Sequence, residues 1–381
     1  MPWKIPLFKT QTDESDTEAV NAVIERGTAW AGGPEIAEFE HKLAEYFDAR
    51  YALVFNSGTS ALHSLLLAIG IEGAEVIVPS FSFVSTVNSV VIAGGRPVFA
   101  DIERSTMGLD PDSVERDITP NTRAVIVVHY AGAPAMFTEE IKELCDKRNI
   151  FVLEDAAESM GAELNHRKVG KFGIAAMFSF CQGKIISTGE GGCIVTDDRV
   201  LYEKMKLIRS HGRKEAGKNY FDDTGDNDYI ELGYNFRMPS MNAALGISQL
   251  NRINSLIEGR RTVARRYRHA FSTHPQIRCP MDHVGLRHVY QMFTLRFVNT
   301  ELRDIVQMEL ARNGIMSKVY FNPIHLKSYY MDKYGCFESQ LPVTEEMSST
   351  VLTIPLYVGM TEEETNMVID TVLNVTNGRS P

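Results

Sequence analysis

Between residues 50 and 200, short apolar runs alternate with stretches of helical periodicity, and few folds tolerate that alternation. Tyr51-Ala52-Leu53-Val54-Phe55 reads as a strand, and Leu62, Leu65, Leu66 and Ile69 then mark one face of a helix. Further strands are expected at Glu75 to Val78, Pro97 to Ala100, Ala124 to Val128 and Phe151 to Leu153, with helices near 82–93, 111–117 and 138–148 between them. Strands so rich in Val, Ile and Phe are buried on both sides. The expected fold is α/β, a mostly parallel central sheet with helices on both faces.

Residues 175–180 and 192–196 read as two more strands around a Gly-rich turn. The polar stretch from His211 to Asp228 is too long for an ordinary connection, and is expected to be a mobile or subunit-crossing loop. Helical periodicity resumes at Ser240 and runs toward Ser272. After Pro280 the pattern is that of a smaller α+β unit, with strands at Met292–Val298 and Met316–Tyr320, helices at 301–313 and 361–376, and a frayed end at Asn377–Pro381. The expected division is a large domain over 1–250 and a small one over 251–381, the first dozen or so residues packing on the latter.

At 381 residues the chain can bury a sizeable core, and its 44% hydrophobic and 23% charged residues are those of a soluble globular protein. A formal net charge of −10 argues against nucleic acid as a partner. No segment approaches the roughly 18 apolar residues of a membrane span. Nor does the N-terminus carry a run of signal-peptide length. Five cysteines (Cys145, Cys181, Cys193, Cys279, Cys336) form neither CxxC nor a metal-binding spacing, so no metal is expected and a reducing cytoplasm is.

Two positions carry the chemistry. Lys184 follows Phe178-Ser179-Phe180-Cys181-Gln182-Gly183 between apolar strands, where an ammonium is costly unless it pairs or reacts. Asp155, twenty-nine residues earlier, closes the run Ile150-Phe151-Val152-Leu153 at the strand end where ligands of open α/β sheets gather. Taken alone, Asp155 is as well read as a cap for the turn at Ala156-Ala157, and Glu158 as a capping carboxylate. Ser57-Gly58-Thr59-Ser60 follows a strand and opens a helix, an anion site in form, although Ser and Thr cap many helices. Phe83 and Phe81 suit core packing, Asn235 a turn, and His129 and His325 hydrogen-bonded structural roles.

Five ordered segments resemble the DegT/DnrJ/EryC1/StrS family of fold-type I, pyridoxal phosphate-dependent sugar aminotransferases. They are the Asp155 and Lys184 stretches, Asn56-Ser57-Gly58-Thr59-Ser60-Ala61-Leu62, His129-Tyr130-Ala131-Gly132 and Gly233-Tyr234-Asn235-Phe236-Arg237-Met238. The resemblance extends from about Pro6 to Ile354 and into the last helix. It implies Lys184 as the Schiff-base lysine and Asp155 as partner of the pyridinium nitrogen. It also implies Glu158 beside the ring, and Gly58 and Thr59 amides with the Ser179 hydroxyl on the cofactor phosphate. Phe83 would stack on the ring while Phe81 packs in the core. Asn235 would cross to a neighbouring subunit, making a homodimer with shared sites, and His325, His129 and Arg237 would lie on the substrate side.

The implied reaction moves nitrogen from glutamate, through pyridoxamine phosphate, to a keto-sugar nucleotide. Thr188-Gly189-Glu190-Gly191-Gly192 with Glu158 looks most like members that aminate a 4-keto position, such as perosamine synthases. The 3-keto and aminocyclitol aminotransferases share nearly the same core, and the aminohydroxybenzoate synthase branch keeps the lysine but dehydrates. The dehydratase branch carries His at the lysine position, which Lys184 opposes. A non-catalytic, cofactor-binding regulator is the reading from a different class, disfavoured by Lys184 and Asp155 together.

Overall fold

The fold is taken from a computed structural model that describes residues 3–214, 228–280 and 283–378. Most of the polar stretch from His211 to Asp228, and the last three residues, lie outside the described residues. The strands in chain order are β1 (Tyr51–Phe55), β2 (Glu75–Pro79), β3 (Arg96–Ala100), β4 (Thr122–Val128), β5 (Phe151–Asp155), β6 (Glu163–Leu164), β7 (Arg167–Lys168), β8 (Ala175–Ser179) and β9 (Gly192–Thr196). They are followed by β10 (Ile277–Arg278), β11 (Leu286–Arg287), β12 (Phe293–Phe297) and β13 (Val351–Ile354).

Seven of these strands form the central sheet in the order β1-β9-β8-β5-β4-β2-β3. The pairings from β8 through β5, β4 and β2 to β3 are parallel, whereas β9 runs antiparallel between β8 and β1. The mostly parallel expectation therefore holds, with an antiparallel margin made by the hairpin β8–β9. Alternation along each strand assigns side chains to opposite layers. Leu53, Val76, Val78, Ile126 and Leu153 enter one core; Ile77, Val125, Val127 and Val152 enter the layer behind it. Each fully buried side chain of this kind contributes about 1.5–3 kcal/mol.

The helices over this sheet are α1 (Glu14–Arg26), α2 (Pro34–Phe47), α3 (Gly58–Ile69), α4 (Val84–Ile92), α5 (Pro111–Asp117), α6 (Thr138–Asp146) and α7 (Arg199–Arg209). The single helix expected from Ser240 toward Ser272 is two, α8 (Ser240–Asn251) and α9 (Ile253–Phe271). The break is Arg252, with φ −120° and ψ 18°, whose guanidinium pairs with Asp13 and Asp16 at the start of α1. Competition from that ion pair is invisible to a periodicity read along α8.

Farther on, β10, β12 and β13 make a small antiparallel sheet, covered by α9, α10 (Thr300–Arg312) and α13 (Glu362–Thr376). Ile5 joins that core with Tyr267, Phe293, Leu310 and Val368, and bridges Ile315. Two short helices, α11 (Ser328–Tyr334) and α12 (Pro342–Thr350), complete the α-helices of the described residues, and Tyr130–Gly132 forms a 3-10 turn. The strand expected at Met316–Tyr320 does not form. Only Lys318 pairs with Thr353, after which the Tyr320 carbonyl turns to accept the Tyr130 hydroxyl at 2.6 Å.

Candidate active site

Because β2, β4, β5 and β8 are parallel, the segments leaving their C-terminal ends share one edge of the sheet. These are Ser80 to Phe83, His129 to Gly132, Asp155 to Glu158, and Ser179 to Lys184. Asp155, opposite Val128 and Met177, is fully enclosed. Its Oδ2 accepts from Thr86 Oγ1 at 2.7 Å and its Oδ1 from the Ala157 amide at 3.2 Å. Burial pushes its carboxyl above the ordinary value, against the pull of those two donors and of Lys184 nearby. Asp155 thus caps the turn at Ala157 with one oxygen while Thr86 holds the other.

Glu154 points to the opposite face and meets the opposite fate. It accepts the amides of Gly170, Phe172 and Gly173, each at 2.7 Å, and His129 Nε2 at 3.0 Å. Burial alone would raise its carboxyl, but these donors hold it below the ordinary value. No sequence cue separates the two adjacent acids except strand parity.

Lys184 rides on an extension of the β8–β9 hairpin. Phe180 pairs with Gly191, Gln182 with Gly189, and the Lys184 amide closes the turn on the Cys181 carbonyl at 3.1 Å. Gly189 to Gly192 is therefore the return limb of the lysine turn. The Lys184 ammonium lies 3.4 Å from Glu158 Oε1, and Glu158 Oε2 accepts the Ala131 amide at 2.9 Å. Cys181, half-buried, points its thiol at Glu190 Oε1, 3.6 Å away.

Gly58 begins α3, with Ser57 Oγ accepting from the Ser60 amide as its cap. A Cβ on Gly58 would sit 3.0 Å from Met177 Sδ and 3.4 Å from Ser179 Oγ, so the first turn of α3 faces the Ser179 hydroxyl. Gly192 packs on the backbone of Gly58, where a Cβ would be 2.6 Å from its amide nitrogen. Helix N–H groups, the exposed Thr59 and a hydroxyl together form a cradle suited to an anion.

Phe83 stands at the N-terminus of α4, 59% exposed, its ring 6.4 Å from that of Phe321. Phe81 is enclosed against Tyr130 and Phe321. Asn235 is exposed, and its carbonyl accepts Asn56 Nδ2 at 3.3 Å, which brings it beside the Gly58 turn. Arg237 follows Phe236, whose carbonyl accepts the Asn56 amide at 2.8 Å.

The two histidines expected on the substrate side are placed otherwise. His129 is fully buried, with Nε2 on Glu154 and Nδ1 accepting the Ala135 amide at 3.0 Å. His325 is equally buried between Ser80 Oγ at 2.7 Å and Glu345 Oε1 at 3.2 Å. Both rings have both nitrogens engaged by the protein, so their geometry is that of braces and not of ligand contacts. Among the described residues no group of three His, Cys, Asp or Glu is placed to hold a metal, and no helix is long and apolar enough to cross a membrane.

The model of the DegT/DnrJ/EryC1/StrS aminotransferase family matches residues 10–373. The chain is 36% identical to a GDP-perosamine synthase of Caulobacter vibrioides over 349 residues, 90% of this chain and 91% of that protein. Its structure is similar to that of PseC, a Helicobacter pylori aminotransferase of pseudaminic acid biosynthesis, with a TM-score of 0.90, 29% identity, and 98% and 99% of the two chains covered. It is also similar to NtdA of Bacillus subtilis, solved with bound cofactor PMP, with a TM-score of 0.86, 29% identity, and 96% and 82% covered. With a matched core of this extent and an acid, a lysine and an anion cradle at one sheet edge, the chain belongs to the DegT/DnrJ/EryC1/StrS aminotransferase family.

Proposed function

We propose that the protein transfers an amino group from glutamate to the 4-keto position of a nucleotide-linked deoxysugar, with pyridoxal phosphate as cofactor. The observation that carries the reading is the convergence of Asp155, Glu158 and Lys184 beside the Gly58–Ser179 cradle. The residues fit that cofactor. The cradle suits a phosphate, and the buried Asp155 carboxylate, raised by burial, gains most from a cationic ring nitrogen. The similarity to a GDP-perosamine synthase supports a nucleotide-linked sugar, and the 4-keto position rests on the resemblance of Thr188-Gly189-Glu190-Gly191-Gly192 with Glu158 to members that aminate there.

When bound, pyridoxal phosphate supplies an aldehyde to capture amines and a ring that accepts the electrons of a broken Cα–H bond. Lys184 Nζ would anchor that aldehyde and would serve as the proton carrier between the donor Cα and the product. Glu158 orients the amine through the 3.4 Å contact. Asp155, fixed by Thr86, would keep the ring nitrogen charged, while the Gly58 and Thr59 amides and Ser179 would hold the phosphate. Phe83, exposed at the N-terminus of α4, would cover the ring face. Asn235, exposed although its carbonyl meets Asn56 of the same chain, would offer its side chain to the cradle of a second subunit in a homodimer, and Arg237 would face the sugar nucleotide.

The test is incubation of the holoenzyme with isotopically labelled glutamate and either 4-keto or 3-keto sugar nucleotides, with mass analysis of the products. Label in an amino sugar from the 4-keto substrate is the expected result. Label from the 3-keto substrate alone would move the site of amination. Consumption of substrate without nitrogen transfer would contradict the aminotransferase assignment in favour of a dehydrating reaction.

A further inference from the structure

Gly183, the residue before Lys184, is gripped from the far end of the chain. Its carbonyl accepts Gln291 Nε2 at 2.7 Å and Arg260 Nη2 at 3.2 Å. Arg260 lies on the buried face of α9 with Leu256, Ile257, Val263 and Ala264, and is only 3% exposed. Its Nη1 also donates to the carbonyls of Gln291 at 3.2 Å and Leu356 at 3.4 Å. All of these partners are main-chain oxygens, and none is a carboxylate. A guanidinium so enclosed is costly unless its donors are used, and here three chain segments are tied together by using them.

The same segment reaches Lys184 by a second route. The amides of Val289 and Met292 donate to the carbonyls of Gly132 and Ala131, at 2.9 and 3.1 Å. Gly132 has φ +97°, and a Cβ there would lie 2.6 Å from the Gln291 amide nitrogen, so only glycine permits this approach. Ala131 in turn docks Glu158, whose other oxygen faces the Lys184 ammonium. Residues 289–292 thus brace both the turn that carries the amine and the carboxylate that faces it. The Phe8 ring closes the remaining side, since a Cβ on Gly183 would sit 2.7 Å from it, and Leu7 pairs with Leu356.

We propose that Arg260 and Gln291 are positioning residues for Lys184, which hold the Gly183 carbonyl so that the lysine amine enters the site from one fixed direction. The proposal rests on the reading of Lys184 as the reactive amine. It makes the packing of the C-terminal region, through α9 and residues 289–292, a determinant of how that amine is presented.

The decisive variants are Gln291→Leu, which keeps volume and removes the donor, and Arg260→Lys, which keeps charge but cannot span three carbonyls. In protein without cofactor, the rate of Lys184 acetylation by acetic anhydride would be mapped by peptide mass spectrometry against Lys168 and Lys171 as internal references. In protein loaded with pyridoxal phosphate, the visible circular dichroism per bound cofactor would be recorded beside the melting temperature. Loss of one hydrogen bond at the turn should raise Lys184 labelling about threefold or more. The reference lysines should be unchanged and the visible signal reduced. Two results would overturn the proposal: wild-type Lys184 labelling with an unchanged visible signal in both folded variants, or a rise shared equally by all three lysines. Should the wild-type protein form no borohydride-stable adduct at Lys184, the reading of that lysine as cofactor anchor fails, while the labelling rates still decide the positioning role.

Discussion

The Thr86 hydroxyl donates to Asp155 Oδ2 at 2.7 Å, and Ser82 Oγ lies 2.8 Å from the same hydroxyl, so the buried acid is oriented by a residue 69 positions earlier. A hydrogen bond to a charged group is worth about 1.5–3 kcal/mol. Thr86→Val keeps the volume and removes the donor. Its affinity for pyridoxal phosphate should fall about tenfold, with melting behaviour near that of the wild type. Fluorescence titration of the cofactor-free protein checks this, and an unchanged dissociation constant would show that Thr86 does not serve Asp155.

Glu158→Gln tests the contact with Lys184. The substitution preserves an acceptor for the Ala131 amide and removes the charge facing the ammonium. A partly screened pair of this kind is worth about 1 kcal/mol, so the single-turnover rate with glutamate should drop about fivefold while cofactor binding persists. Stopped-flow absorbance separates the two quantities.

Gly192 and Gly189, three residues apart, should respond very differently to alanine. At Gly192 the methyl would press on the Gly58 backbone at 2.6 Å, which cannot move without disturbing the anion cradle. At Gly189 the space is open and the strain comes only from φ +82°. Thermal unfolding of Gly189→Ala should show a loss of about 1–2 kcal/mol from the left-handed backbone. Gly192→Ala should lose about 1–3 kcal/mol from overpacking and also weaken binding of pyridoxal phosphate.

His288 makes stability depend on pH. Burial, with the charges of Arg261 and Arg268, draws its imidazole down to about 3, and its Nδ1 accepts the Tyr290 amide at 2.9 Å. The unfolded chain takes up the proton near the ordinary value of 6.5 and the folded one does not, so stability is complete above that value. It then falls as the pH is lowered toward 3, by about 1.4 kcal/mol per unit from this group. Denaturant titrations between those limits should show a shallower pH dependence in His288→Gln than in the wild type.

What the sequence disclosed was local. The strand closing on Asp155, the helix opening at Gly58 and the glycines around Lys184 are each written within a few residues of themselves, and all three come together at one sheet edge. The break at Arg252 was hidden because its cause, the Asp13 and Asp16 pair, lies more than two hundred residues away. Thr86, Arg260 and Gln291 were missed for the same reason, since each acts on a segment remote in sequence. His129 and His325 show the converse: their motifs were legible, but Glu154 and Glu345, which occupy their rings, were not.

The central claim is that Lys184 binds pyridoxal phosphate and that glutamate can displace it. The most direct measurement is the visible absorbance of the protein reconstituted with pyridoxal phosphate, before and after glutamate, beside Lys184→Ala. A yellow band that glutamate bleaches, absent from Lys184→Ala, is the expected result. A protein that stays colourless on reconstitution, or an identical band in Lys184→Ala, would contradict it.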